Sequence, residues 1–210
     1  MTGAPSRNIL LIVSAPSGAG KTTLCQALLE NNRNMSRAVT CTTRPPRDGE
    51  VDGVDYYFLD AATFLKKVQA GEFLEHATVH GNSYGTLKSE IIDRLHSGQD
   101  VLLNIDVQGE AAIREKAQAD PVLGPALVTL FLVTPSLTEL EFRLRKRALD
   151  SEDVIRGRLD EARREISLWR NFDYLIVSRS VDDDFRNAQT ILEAEKMRTT
   201  RAFNPLEGGQ

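Results

Sequence analysis

Two clusters in this sequence carry residue types and spacings that could handle phosphate. The first is Ala15-Pro16-Ser17-Gly18-Ala19-Gly20-Lys21-Thr22. Gly18 and Gly20 let the backbone turn so that successive N–H groups point inward at an anion, at the head of a helix starting near Lys21. Lys21 adds a full positive charge with the reach for β- and γ-phosphates, and the Thr22 hydroxyl is placed to ligate Mg2+. The stretch departs at one point from the pattern Gly, four residues, Gly-Lys-Ser/Thr: Ala15 stands where the first glycine belongs. Alanine is harmless there unless the loop needs a positive φ or a close backbone approach.

The second cluster is "TTRPPRDGE", in which Arg44 and Arg47 flank two prolines. Pro45 and Pro46 stiffen the backbone and bias it toward extended geometry, which fixes two guanidiniums for a two-point grip on phosphate. Tyr56 and Tyr84 could add hydroxyl donors to the same group. On this feature alone, a solvated loop with two surface arginines reads equally well. Glu75 stands in the apolar stretch "EFLEHATV", where it could accept two N–H bonds from a base edge or simply face solvent. Asp106 ends a buried run, and a carboxylate there requires a ligand or an internal partner, because unpaired burial is costly. Farther on, Arg143 and Arg147 stand at i, i+4, and Arg158 follows on the next helix. A helical hairpin with these arginines turned inward would close over a nucleotide and balance developing charge. A solvated basic face is the bland alternative.

These residues need elements to position them. "ILLIV", 9–13, is a continuous apolar run that predicts a strand buried on both faces. A helix with Leu24, Leu28 and Leu29 on one side follows the glycines. "AVTCTT" and "YYFLD" predict short strands. Asp60 caps a short helix that stops at Gly71. A hairpin turns around Gly81-Asn82, and a helix runs from Leu87 to His96 with Thr86 as its N-cap. Buried-strand runs recur in "DVLLNIDVQG", "ALVTLFLVTP" and "DYLIVS", with a helix over 110–119 between the first two. The stretch 137–170 reads as charged helix, its second half carrying Ile155, Leu159, Ala162, Ile166 and Trp169 on one face. A final helix over about 183–200 carries Phe185, Ala188, Leu192 and Met197, and 204–210 reads as a frayed tail. Strands alternating with helices predict an α/β fold: a mostly parallel sheet with helices on both faces, and ligands beyond the carboxyl ends of its strands.

The totals set bounds. At 210 residues the chain has room for one sizeable α/β core with small inserted lobes. A formal net charge of −4 gives no general pull toward nucleic acid or an anionic membrane, so an anionic ligand must be met by a local cluster. Two cysteines, Cys25 and Cys41, make neither a disulfide framework nor a metal-ligand spacing. They read as free thiols in a reducing compartment, Cys25 as a small core residue. No run approaches the roughly 18 apolar residues of a membrane span, and "MTGAPSRN" with "ILLIV" is too short for a signal sequence. A soluble cytoplasmic protein is the expectation. His76, His80 and His96 read as packing or surface residues.

In this order, "SAPSGAGKTT", "TTRPPRDGEVDGVDYYF", "EFLEHATVHGNSYGT", "NIDVQG" and "DYLIV" resemble the guanylate kinases of the P-loop nucleoside monophosphate kinase family, over about residues 8–200. The resemblance implies transfer of the γ-phosphoryl group of ATP to GMP, and to dGMP, with Mg2+. It implies that Ala15–Thr22 hold the ATP phosphates and that Arg44, Arg47, Tyr56 and Tyr84 hold the GMP phosphate. It further implies that Thr40, Glu75, Thr86 and Asp106 contact or flank guanine, and that Lys21, Arg143, Arg147 and Arg158 act on the transferred group. The implied organisation is a P-loop three-layer core over 1–37, 87–134 and 171–210. A small strand-rich GMP-binding lobe takes 38–86, and a helical lid with a following core helix takes 135–170. The sequence departs from the family pattern at Asn104, where an acid is common, at Ser178, where an Asn near adenine is common, and at Ala148, where a lid glycine is common. Two rivals stay open: a binding module of the same fold without catalysis, and a kinase for another nucleotide or a sugar bisphosphate. The first is opposed by Lys21, Thr22 and the three arginines, the second by paired acceptors at Glu75 and Asp106.

Overall fold

The computed structural model describes residues 8–79, 81–146 and 151–201. His80, Arg147, Ala148 and the tail from 204 lie outside them. The chain runs β1 (Leu10–Ser14), α1 (Lys21–Asn31), β2 (Met35–Arg37), β3 (Cys41–Thr42), β4 (Tyr57–Phe58) and α2 (Ala61–Gln69). Then come β5 (Phe73–Val79), β6 (Asn82–Leu87), α3 (Lys88–His96), β7 (Asp100–Asn104), α4 (Val107–Ala117) and α5 (Leu123–Ala126). It ends with β8 (Leu127–Val133), α6 (Leu137–Lys146), α7 (Glu152–Ser167), β9 (Tyr174–Val177) and α8 (Val181–Lys196).

The main sheet has the order β2-β7-β1-β8-β9, and every described pairing in it is parallel. β1 lies at its centre, with Leu10 opposite Val101 on one side and Leu127 on the other. Successive side chains of a strand point to opposite faces, and the run from Ile9 shows it. Ile9, Leu11 and Val13 join Leu24, Leu28, Leu140, Ala188 and Leu192 under α1, α6 and α8. Leu10 and Ile12 join Ile91, Leu95, Ile113 and Leu123 under α3, α4 and α5. An unbroken apolar run is what a strand covered on both faces requires.

A second sheet, β4-β3-β6-β5, mixes one parallel pairing with two antiparallel ones. Its own small core is Cys41, Phe64 and Phe73, the two rings stacked 4.6 Å apart under α2. β5 is fastened to the main body: Leu74 is buried with the α3 and α4 side chains, and the Lys116 ammonium donates to the carbonyls of Phe73 and Leu74 at 3.1 and 2.5 Å.

Asp60 caps α2 as expected, accepting from the Thr63 N–H at 2.8 Å, and the hairpin places Val79 opposite Asn82. Several expectations are corrected. The strand β2 has no counterpart in the sequence reading; three residues at a sheet edge carry too little periodicity. Thr86 does not cap α3: the cap position is Leu87, without a side-chain bond, and Thr86 belongs to β6. α4 starts at Val107, earlier than read, because Asp106 caps it. Met197 lies past the end of α8 and is 74% exposed, so it adds nothing to that helix's apolar face.

Candidate active site

The loop between β1 and α1 takes left-handed geometry at Gly18 and Gly20, with φ of +93° and +107°. Gly20 is the N-cap of α1, no side chain caps that end, and no acid stands in the first turn. Its amides therefore face outward at the positive end of the helix, where an anion is favoured. Ala15 is 5% exposed and packs in the cluster that holds Ala19, Leu140 and Leu144. The left-handed positions of the loop are the two glycines that remain, and the methyl of Ala15 fills core space.

Lys21 reaches back across the sheet edge and donates to the Ile105 carbonyl at 3.0 Å, an oxygen that also accepts from the Ser14 hydroxyl at 2.9 Å. Burial lowers its pKa, while Cys25, Asp106 and Glu165 act in the opposite sense. A cavity of about 300 Å3 opens over it, lined by Ala15, Pro16, Ser17, Gly18, Gly20, Lys21, Thr22, Thr23, Asp106 and Glu165. Burial, with Glu161 and Asp106 nearby, raises the Glu165 carboxyl to about 7, against the pull of Lys21.

On one side this cavity adjoins another of about 490 Å3, which shares Gly18, Gly20 and Thr23 and adds Ala19, Arg143, Ser178, Arg179 and Asp184. Arg143 spans it, donating from Nε to Glu139 at 2.8 Å and from Nη1 to the Ala19 carbonyl at 3.4 Å. The Ser178 hydroxyl donates to the Asp184 carboxylate at 2.6 Å, so the departure at 178 is part of a buried polar pair. On the other side lies a cavity of about 360 Å3, lined by Thr40, Tyr56, Glu75, Tyr84, Asn104, Ile105 and Asp106 among others. Asp106 is common to this cavity and the central one.

Glu75 is placed by a register shift between Phe73 and Glu75, which turns Leu74 into the main core and leaves the carboxylate opposite Thr86. The Thr86 hydroxyl donates to Glu75 Oε1 at 2.6 Å, and burial pushes this carboxyl's pKa up. Asp106 Oδ1 accepts from the N–H groups of Gln108 and Gly109 at 3.0 and 2.8 Å. A Cβ at Gly109 would press on Ile105 at 3.2 Å and lie in ordinary contact, at 3.5 Å, with both Glu75 Oε2 and Asp106 Oδ1, so the two carboxylates flank this glycine. Tyr56 and Tyr84 meet edge to face at 6.3 Å, and the Arg44 guanidinium lies over Tyr56, 5.5 Å from the ring centre.

The expected residues thus gather unevenly. The loop 15–22, Arg143, Thr40, Tyr56, Glu75, Tyr84 and Asp106 line three adjoining cavities. Thr86 stands behind Glu75, and Arg44 beside Tyr56. The exposed Arg47 and the half-buried Arg158 are not among the lining residues. Arg147 lies outside the described residues. Asn104 borders the Glu75 cavity, opposite Val13 of β1 and next to Ile105, whose carbonyl accepts from Lys21. Cys25 and Cys41 are buried, and burial pushes their thiols up to about 12 and about 11. Sequence reasoning missed Glu165 and Asp184. Each hides in an acid-rich helix, where a solvated face is the ordinary reading.

The family profile described as guanylate kinase matches residues 7–195. The chain belongs to the guanylate kinase family. It is 47% identical over 199 residues to a guanylate kinase of Nitrobacter hamburgensis, covering 95% of this chain and 88% of that one. It is 48% identical over 195 residues to one of Novosphingobium aromaticivorans, covering 93% and 86%. Among solved structures, the guanylate kinase of Anaplasma phagocytophilum superposes with a TM-score of 0.71 at 33% identity, over 96% of this chain and 93% of that one.

Proposed function

We propose that this chain is an ATP:GMP phosphotransferase, giving ADP and GDP, with dGMP as a second acceptor. The observation that carries the reading is the run of three adjoining cavities, with Lys21 in the second and Asp106 shared by the second and the third. We assign the ATP base to the cavity with Ser178 and Asp184, its phosphates to the Gly18–Thr22 loop, and GMP to the cavity with Glu75. In domain terms, 38–86 forms the acceptor lobe, 135–170 the lid and the helix after it, and the rest the core.

Guanine presents N1–H and an exocyclic amino group, both donors. Glu75 and Asp106 offer acceptors to that edge, Asp106 through Oδ2 since Oδ1 caps α4. AMP would set an unprotonated N1 against a carboxylate, and buried polar groups left unpaired are what discriminate. Arg44, Arg47, Tyr56 and Tyr84 hold the acceptor phosphate.

The acceptor oxygen is already ionised, so no general base is required, and positioning with charge neutralisation supplies the rate. Lys21 would leave the Ile105 carbonyl to follow the transferring oxygens. Arg143 neutralises charge from the donor cavity that it lines, and the same role is assigned to Arg158 and to Arg147, which lies outside the described residues. Guanylate kinases are kinases that generally use Mg2+ with ATP. Among the described residues no cluster of three His, Cys, Asp or Glu could hold a metal by itself. Thr22, with Asp106 and Glu165 near, instead offers the hard oxygen donors that suit a hydrated Mg2+ carried by phosphates. When bound, that ion offsets phosphate charge.

No helix among the described residues is long and apolar enough to cross a membrane, and the two buried free thiols fit our reading of a cytoplasmic protein. An ADP-release assay with Mg-ATP and each nucleoside monophosphate tests the function. Turnover with GMP well above AMP, CMP and UMP is expected. Comparable rates with AMP or UMP would refute the guanine assignment, and no turnover with any would favour a binding module.

A further inference from the structure

The loop from Arg44 to Glu50 is closed on itself by one side chain. The Glu50 carboxylate meets the end of the Arg44 guanidinium in a two-point pair, Nη2 donating to Oε1 at 2.8 Å and Nη1 to Oε2 at 2.9 Å. Oε2 also accepts from the Arg47 backbone N–H at 2.7 Å, and the Glu50 N–H donates to the Arg47 carbonyl at 3.0 Å. Nη1 makes a further bond to the Pro45 carbonyl at 2.7 Å. The rings of Tyr56 and Phe58, centred 5.5 and 5.9 Å from the guanidinium carbon, hold the group from one face.

A guanidinium has five N–H donors in a fixed plane. Glu50 and Pro45 use three of them, all on Nη1 and Nη2. The remaining two, Nε–H and one N–H of Nη2, form a lateral edge whose spacing matches two oxygens of one phosphate. Tyr84 is hydrogen-bonded to the same guanidinium, so its hydroxyl shares that lateral edge, and Tyr84 and Tyr56 both line the cavity assigned to GMP.

We propose that Glu50 is a positioning residue for the acceptor phosphate: it grips Arg44 by its end so that the lateral edge meets the phosphate of GMP, and it fixes the backbone from which Arg47 projects. The inference rests on the reading of this cavity as the GMP site. The opposite role, a carboxylate that occupies the fork until phosphate expels it, fits the geometry less well. Glu50 is tied to the Arg47 backbone as well as to Arg44, so expelling it would open the turn. An incoming phosphate can reach the lateral edge without moving it. The hydrogen bonds from Arg44 and from the Arg47 backbone hold the Glu50 carboxyl down to about 2, so the arrangement persists across the physiological range.

Glu50→Gln and Glu50→Ala, assayed beside the wild type for steady-state kinetics and for calorimetric binding of GMP and guanosine, test the role. We expect KM and Kd for GMP to rise about tenfold in Glu50→Gln and further in Glu50→Ala, the scale seen when a group that orients a ligand-binding residue is removed. The kcat, the KM for ATP and the affinity for guanosine, which has no phosphate, should stay within about twofold, since preorganisation acts on the phosphate contact alone. Tighter or unchanged GMP binding would overturn the proposal. Equal weakening of GMP and guanosine would also overturn it, because that marks a merely structural residue. A wild type that turns over no GMP overturns the parent reading together with this one, whereas an active wild type with variants indistinguishable from it overturns this inference alone.

Discussion

The proposed donor and acceptor ends of the site are held together by different means. At the donor end the phosphate loop is part of the main core. Ala15 and Ala19 are buried with Leu140 and Leu144 of α6, and a Cβ at Gly18 would come within 3.0 Å of Leu144. The anion site itself is backbone, fixed by two left-handed glycines and a helix end. At the acceptor end the proposed phosphate contacts are long side chains on a loop. They are ordered by an ion pair between Arg44 and Glu50 and by a three-residue buried core around Phe64 and Phe73. A backbone site packed by the core loses function through steric and conformational changes. A site built of side chains loses it through the partners that aim them.

The largest effect should come where the two ends meet. Lys21→Ala removes the cation between the triphosphate loop and the acceptor cavity. We expect kcat to fall by about 10^3-fold or more, roughly 4 kcal/mol of transition-state stabilisation. The fold should survive, because burial already disfavours the charged lysine and alanine relieves that cost. Steady-state assays beside thermal unfolding check both halves. Near-normal turnover would mean that the charge at this junction is dispensable.

Glu75→Gln probes the acceptor end alone. It keeps the size of the side chain and its bond from the Thr86 hydroxyl, but turns one of two acceptors into a donor facing the donor edge of guanine. We expect kcat/KM for GMP to drop by about 100-fold, roughly 3 kcal/mol, the range for a buried polar group set against the wrong partner. The KM for ATP should be unaffected. Loss of ATP affinity on the same scale would show that the two ends are not separable.

Gly18→Ala tests the packed donor end. Its φ of +93° strains any residue with a side chain, and the new methyl would press on Leu144. A cost of about 2 kcal/mol in urea unfolding is expected, with a higher KM for ATP. Gly98→Ala is the matched control. It has a φ of +86° but nothing within 4 Å of the added Cβ, so it should cost only the backbone strain, about 1 kcal/mol. Equal losses in the two variants would show that α6 does not brace the loop.

The same contrast explains what was legible in the sequence. The buried strands around β1 and the glycine loop are local patterns, and each appears where its period or spacing placed it. Ala15 was ambiguous alone, because only the packing around Leu140 and Leu144 shows that its methyl fills core space. In the sequence Glu75 reads more readily as a surface residue, since the register shift that turns Leu74 inward leaves no trace in composition. Thr86 read as a helix cap because hydroxyls favour that position, but its partner is a carboxylate on the neighbouring strand. Glu165 and Asp184 could not be singled out, because helix acids become site residues only through what the sheet edge brings against them.

Glu165→Gln should have the smallest effect, and it asks whether charge or packing governs the donor end. Its carboxyl, ordinarily near 4.5, is raised to about 7 in the folded protein, chiefly by burial. Below pH 4.5 both folded and unfolded chains carry the proton, and the group contributes nothing. Between about 4.5 and 7 the folded chain retains a proton that the unfolded chain releases, so stability falls as pH rises. Above 7 the whole penalty is present. A neutral amide removes it, so the variant should match the wild type near pH 4 and exceed it near pH 8. The gain should be about 1 kcal/mol once solvent screening of this half-exposed group is allowed for, or about 2–4 °C in Tm. Thermal unfolding of both proteins from pH 4 to 8 measures the difference. A gap that stays constant with pH would assign the effect of the substitution to packing and leave the donor end governed by its core alone.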